Sequence, residues 1–177
     1  MADTEATFII VPTPSESHGG FSVRYVLEAA EAIGRALRKK AGYHLVVLTS
    51  TVLPGATGGQ LLPVLEAASG KKCGQDFGLC YNPEFIALGS VIRDMLNPDL
   101  VLISESDARA GAMLEQIHRV LCDNTPHFAH LNFVNAELSK LAVSTFSGTT
   151  TERLRPPGTS VSATFPRSPE TVMELPS

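Results

Sequence analysis

The stretch Tyr43 to Gly59, Y-H-L-V-V-L-T-S-T-V-L-P-G-A-T-G-G, restricts the fold of this chain more than any other. Leu45 to Leu48 are apolar without alternation. A strand open to water on one face alternates apolar and polar residues. An unbroken apolar run suits a strand covered on both faces, as in a parallel sheet flanked by helices. The run ends in three hydroxyls, Thr49, Ser50 and Thr51, and Pro54-Gly55 then breaks the strand ahead of a turn into the next helix. In open α/β sheets, ligands collect beyond the carboxyl ends of the strands. Ser50 and Thr51 therefore stand where a ligand-binding hydroxyl is expected, although the same residues suit a plain turn cap equally well.

The flanking segments fit that frame. Thr7 to Val11 is a short buried strand, stopped by Pro12-Thr13-Pro14-Ser15. Ser22 can cap a helix running to about Lys40, with Val23, Val26, Leu27, Ala30, Ile33 and Leu37 on one face and basic residues in its last turns. Strand, helix and strand then follow one another at a spacing that allows a right-handed parallel crossover. A short helix is expected after Thr57, with Pro63 confined to its first turn. Further strands are expected at Phe77 to Tyr81 and Leu100 to Ile103, and a helix over Asp107 to Leu121. Leu131 to Val134 reads as a last short strand, and Asn135 as the cap of a final helix carrying Leu138 and Leu141. From Ser147 to Ser177 there are five prolines and no sustained period, which reads as a disordered tail.

Composition narrows the function classes. The formal net charge of −4 is mild and no basic block stands out, so neither nucleic acid nor an anionic membrane surface is an expected partner. No apolar run reaches membrane-spanning length, and the acidic N-terminus lacks a signal-peptide pattern. Cys73, Cys80 and Cys122 form neither a disulfide framework nor a metal cluster, and the histidines show no ligand spacing. The chain reads as a cytoplasmic protein with reduced thiols.

The candidates for chemistry are few. Glu84 follows a proline at the end of the Phe77 strand, where a carboxylate could serve as a general base or orient water. Lys140 lies on the final helix. Read alone, each is better explained as a solvated charge. The phosphate-binding patterns G-x-G-x-x-G and G-x-x-x-x-G-K-[ST] are both missing from the sequence. Spacing by itself therefore stops at an α/β domain with a possible ligand edge, and a non-catalytic nucleotide-binding or interaction module stays open.

Several of these pieces together carry a resemblance. I-I-V-P-T-P-S, G-G-F-S, L-T-S-T-V-L-P-G-A-T, Y-N-P-E-F and N-A-E-L-S-K occur, in this order between Ala6 and Phe146. As an ordered set they resemble the UDP-glucose/GDP-mannose dehydrogenase family. The resemblance implies a partial Rossmann-like α/β fold: residues 1–146 are expected to be the C-terminal part of an NAD-binding domain, and residues 147–177 a tail outside it. It implies NAD as cofactor and a nucleotide sugar, UDP-glucose foremost, as substrate. The sugar C6 alcohol is then oxidised twice through a cysteine-bound intermediate.

Residue by residue, the resemblance puts Thr13, Ser15, Ser50 and Thr51 beside NAD. It gives Thr51 a further part in holding the hydrolytic water, Glu84 acid/base work, and Lys140 the polarisation of the reacting oxygens. Departures from the pattern are equally specific. The family's glycine-rich turn and its cysteine segment, G-G-x-C-F-P-K-D, do not occur in this chain. Leu88 stands where many members have a second glutamate, and Ser144 where members carry asparagine. Full-length members oligomerise through a central helix that is likewise unmatched. Without the family's first strands, the Phe8 or the Val46 strand is expected to leave an unpaired apolar sheet edge.

Overall fold

A computed structural model of the chain describes residues 3–16, 20–86, 89–153 and 172–174, with side chains through residue 144. The Leu45 run forms β2 (His44–Leu48), and every one of its residues is buried. β1 (Ala6–Ile9) and β3 (Phe77–Tyr81) flank β2, both parallel to it. Ile9, Leu48 and Tyr81 are register partners at the carboxyl ends of the three strands.

The pleat of β2 explains its unbroken apolarity. Val46 and Leu48 face a core built with Val26, Ala30, Ile33 and Leu37 of α1 (Arg24–Leu37) and Leu65 of α2 (Leu62–Ser69). Leu45 and Val47 face a second core with Ala110 and Leu114 of α4 (Ala108–Leu121). Each fully buried aliphatic side chain of this kind is worth roughly 1.5–3 kcal/mol.

Beyond β3 the sheet changes direction. After the short exposed helix α3 (Val91–Leu96) comes β4 (Leu100–Glu105), antiparallel to β3 over Cys80↔Glu105 and Tyr81↔Ser104. β5 (His127–His130) runs parallel to β4, with His130 opposite Ile103. The carboxyl end of β5 therefore lies level with the carboxyl end of β3. From there α5 (Phe133–Arg153) sets out at the edge where β1, β2 and β3 end. The sheet order is β5-β4-β3-β2-β1-β6, where β6 is Val172–Glu174. The fold is thus the expected Rossmann-like α/β arrangement, with a mainly parallel sheet and flanking helices.

Several local expectations are corrected. Ser22 does not cap α1: its amide donates to the Pro14 carbonyl at 2.9 Å, and Val23 occupies the cap position without a side-chain bond. The helix after Thr57 opens with a π turn, Thr57–Leu61, in which Leu62 N–H reaches back to the Thr57 carbonyl. That wider turn runs without a break into α2, so Pro63 lies in the second turn of one helical run rather than in its first, and the π geometry is what accommodates its missing N–H. The last central strand is His127–His130 rather than Leu131–Val134, and Asn132 rather than Asn135 caps α5, its Oδ1 accepting from Asn135 N–H at 2.9 Å.

Helix α5 also continues past Phe146 to Arg153, since nothing in Ser147-Gly148-Thr149 stops backbone pairing as a proline would. The expected open edge on β1 is covered, because β6 runs antiparallel along it with Phe8↔Met173. Val-Met-Glu offers a short strand, and β1 a row of otherwise unpaired amides. The rest of the segment 154–177 and Leu88 lie outside the described residues. Among the described residues no helix is long and apolar enough to cross a membrane.

Candidate functional site

Three loops leave the aligned ends of β1, β2 and β3. Pairing persists one residue further, with Thr49 N–H on the Ile9 carbonyl at 3.0 Å and Asn82 N–H on the Leu48 carbonyl at 2.8 Å. Neighbouring strands lie about 4.8 Å apart, so the loops bearing Thr13, Thr51 and Glu84 share one edge of the sheet.

The individual residues behave differently. Ser50 is buried, and its hydroxyl accepts from Val11 N–H at 2.8 Å and donates to the Val11 carbonyl at 2.7 Å. It stitches the exit of β1 to β2, so its oxygen is already engaged by the protein. Thr51 is half-buried and makes no side-chain hydrogen bond among the described residues. Thr13 is half-buried and Ser15 is exposed, in a loop closed by a bridge between Ser15 and Phe21.

Glu84 and Lys140 meet, although 56 positions separate them in sequence. Lys140 Nζ lies 3.0 Å from Glu84 Oε2 and also donates to the Glu84 carbonyl. The lysine side chain is 10% exposed and the glutamate 42%. Lys140 further stands 5.2 Å from the centre of the Phe85 ring, within cation–π range. The result is a cation held at the sheet edge, paired on one side and walled by an aromatic ring on another. Ser144, one turn beyond Lys140, is exposed.

Two features of the site escaped the sequence reading. Asn82 carries the turn into Glu84: its amide donates to the Leu102 carbonyl at 2.9 Å, and its Oδ1 lies 2.8 Å from Nε2 of the half-buried His118. Since Oδ1 can only accept, His118 carries its proton on Nε2. Burial pushes the imidazole pKa below its ordinary value. The second feature is Glu137, fully buried on α5, whose Oε2 accepts from Gly55 N–H at 2.5 Å and Oε1 from Thr57 N–H at 2.8 Å. The adjacency of Glu137 and Lys140 at helical spacing in N-A-E-L-S-K was the signal that could have found it.

No thiol stands at the edge. Cys80 is buried within β3, Cys73 forms a bridge with Phe77 at the opposite end of that strand, and Cys122 follows α4. Burial raises the pKa of all three above the usual thiol value, so none is an activated thiolate. Among the described residues no group of histidine, cysteine and carboxylate side chains could hold a metal ion.

Residues 1–122 match the model of the UDP-glucose/GDP-mannose dehydrogenase family, NAD binding domain. The GDP-mannose 6-dehydrogenase of Pseudomonas aeruginosa is 41% identical over 121 residues, which cover 68% of this chain and 28% of that protein. The UDP-glucose 6-dehydrogenase of Haloferax volcanii is 35% identical over 148 residues, 82% of this chain and 34% of that protein. Among solved structures, a ternary complex of GDP-mannose dehydrogenase from Pseudomonas aeruginosa superposes with a TM-score of 0.78 at 35% identity, covering 83% of this chain and 33% of that one. A UDP-glucose dehydrogenase from Pyrobaculum islandicum gives a TM-score of 0.73 at 37% identity, covering 80% and 32%. The chain thus spans about a third of the length of the relatives it matches.

Proposed function

The chain belongs to the UDP-glucose/GDP-mannose dehydrogenase family, and on that premise we propose that its β1–β3 edge is part of the NAD-binding and catalytic site of a nucleotide-sugar 6-dehydrogenase. The observation that carries the reading is the Lys140–Glu84 pair, a cation and a carboxylate 3.0 Å apart at the ligand edge of a parallel sheet. A fixed ammonium there stabilises negative charge that develops on a substrate oxygen. Glu84, more exposed than its partner, is within reach of water or substrate, as acid/base work requires. Thr51 supplies a hydroxyl that has no partner among the described residues.

The residues fit NAD in part. Thr13, Ser15 and Thr51 would hold NAD through their hydroxyls, and Ser50 fixes the backbone between β1 and β2 beside them. The G-x-G-x-x-G turn that cradles a dinucleotide pyrophosphate does not occur in the sequence. When bound, NAD supplies the hydride acceptor for oxidation of an alcohol. The substrate is a nucleotide sugar oxidised at C6: UDP-glucose by the sequence resemblance, with GDP-mannose as the alternative suggested by the Pseudomonas relative.

The second oxidation of the family reaction needs a thiolate that holds the aldehyde covalently, and none of the three cysteines is placed for it. We therefore expect this chain alone to bind NAD weakly, at millimolar concentration, and not to turn over. Each hydroxyl contributes only about 0.5–1.5 kcal/mol net, too little to replace a phosphate cradle. The test is NADH formation by the purified chain with NAD and either sugar nucleotide, beside a full-length family member. Turnover abolished by Lys140→Ala would refute the incomplete-site reading. NAD-induced NMR shifts that bypass Thr13, Thr51 and Glu84 would refute the assignment of the edge.

A further inference from the structure

We propose that Glu137 is a positioning residue that fixes Thr51 relative to the Lys140–Glu84 pair, making α5 the shared anchor of two site loops. The inference rests on the functional reading above and adds a residue to it.

A carboxylate with 0% exposure is a costly group to place inside a protein, and an apolar side chain would seal the same space. What only an anion supplies here is directional. Its two oxygens take the amides of Gly55 and Thr57, which sit at the opening of the helix that follows the Thr51 loop. Amides at a helix start have no partner within the helix and favour negative charge. Glu137 therefore occupies with the protein's own carboxylate a place that would otherwise attract an external anion.

Two strong acceptors define the path of the loop at both sides of Ala56. Between Thr51 and that grip lies Pro54-Gly55, with Gly55 at φ +90°. A segment so turned has few alternative courses once its amides are held. Three residues further along the same helix face, Lys140 grips the Glu84 loop through both the carboxylate and the carbonyl. The loops from β2 and β3 are thus referenced to one rigid helix, and a shift of either shows at the other.

The test uses the isolated chain labelled with ¹⁵N, with NAD as the probe. Glu137→Gln keeps the shape but turns one acceptor oxygen into a donor that faces an amide. Amide exchange at Gly55 or Thr57 should accelerate about tenfold or more, as a local opening no longer costs that contact. NAD affinity should fall about three- to tenfold, the range set by one misplaced hydrogen bond. In a Thr51→Ala background, Glu137→Gln should weaken NAD no further, because the effect passes through Thr51. A residue that merely stabilises the fold would weaken NAD equally in both backgrounds, and that result would overturn the proposal. So would unchanged exchange at Gly55 and Thr57. If the unsubstituted chain shows no NAD-induced shift at Thr51, the cofactor reading falls; if it does and Glu137→Gln matches it, the positioning role alone falls. Should Glu137→Gln not fold, Glu137→Asp, one methylene shorter with its charge kept, carries the same comparison.

Discussion

Gly34→Ala is expected to destabilise the protein, against the usual helix preference. In the interior of a helix, alanine is favoured over glycine by about 0.8–1.0 kcal/mol. Gly34 lies where α1 crosses α2, and a Cβ built there would stand 2.6 Å from the Ala68 Cβ, 3.2 Å from the Leu65 carbonyl oxygen and 3.3 Å from Ser69 N. Carbon atoms pack at about 3.5–4.0 Å, so the helices must part by about an ångström. None of the three neighbouring atoms is a flexible side-chain end that could swing aside. Overpacking of this kind costs about 1–3 kcal/mol. Subtracting the propensity gain leaves a net loss of about 0–2 kcal/mol, and the two backbone contacts place the expectation near the upper end.

For a chain of this size each kcal/mol lowers Tm by about 2–4 °C. Thermal unfolding followed by circular dichroism reads the shift. The cycle with Ala68→Gly isolates its cause. Removing the opposing methyl should restore Gly34→Ala to within about 1 kcal/mol of the parent, a coupling of about 1–3 kcal/mol. A Gly34→Ala variant that melts above the parent, or a pair that adds without coupling, would refute the close-approach argument.

Two further outcomes follow from half-buried polar groups of α4 and its cap. His118 has its pKa lowered by burial, so the unfolded chain binds the proton more readily than the folded one. Its contribution is present in full above the ordinary histidine value of roughly 6.5 and is lost as pH falls below it, with a slope of at most about 1.4 kcal/mol per pH unit. Urea denaturation across that window should show the slope, and His118→Gln should remove it. Asp107 caps α4 by accepting from Arg109 N–H and Ala110 N–H at 3.1 Å each, and it also accepts from the Tyr43 hydroxyl at 3.0 Å. Asp107→Ala should cost about 2–3 kcal/mol, a cap of about 1 plus an orphaned hydroxyl of about 1–2. Asp107→Asn should recover part of it, measured by the same denaturation.

The course of β1, β2 and β3 was legible because burial on both faces leaves a mark in every residue of a strand. Leu45 to Leu48 have no partner-dependent feature: any parallel sheet with two helical layers would select them. Loop roles were legible only through the ordered motifs. Ser50 and Thr51 are neighbours of the same type, yet one hydroxyl is engaged by Val11 and the other has no partner among the described residues, a difference set by which one points back to β1. Lys140 looked like a solvated helix charge because its partner lies 56 residues away. Asn132 displaced Asn135 as the cap of α5 because β5 ends at His130 rather than running on to Val134. Strand length there depends on the register with β4, which local propensity does not encode.

The grips of α5 on the two loops also have a consequence in time. They join residues 56, 80 and 82 positions apart. Contacts so distant in sequence form late, because the closure entropy of the intervening chain must be met before the contact contributes. Synthesis proceeds at about 5–20 residues per second, so β1 to β3 can emerge and pair while the helix that fastens their loops is still unmade. Through that interval the sheet edge has strands but no fixed loops. The ammonium, the carboxylate and the threonine take their places together, once the chain through Lys140 has emerged and α5 has docked.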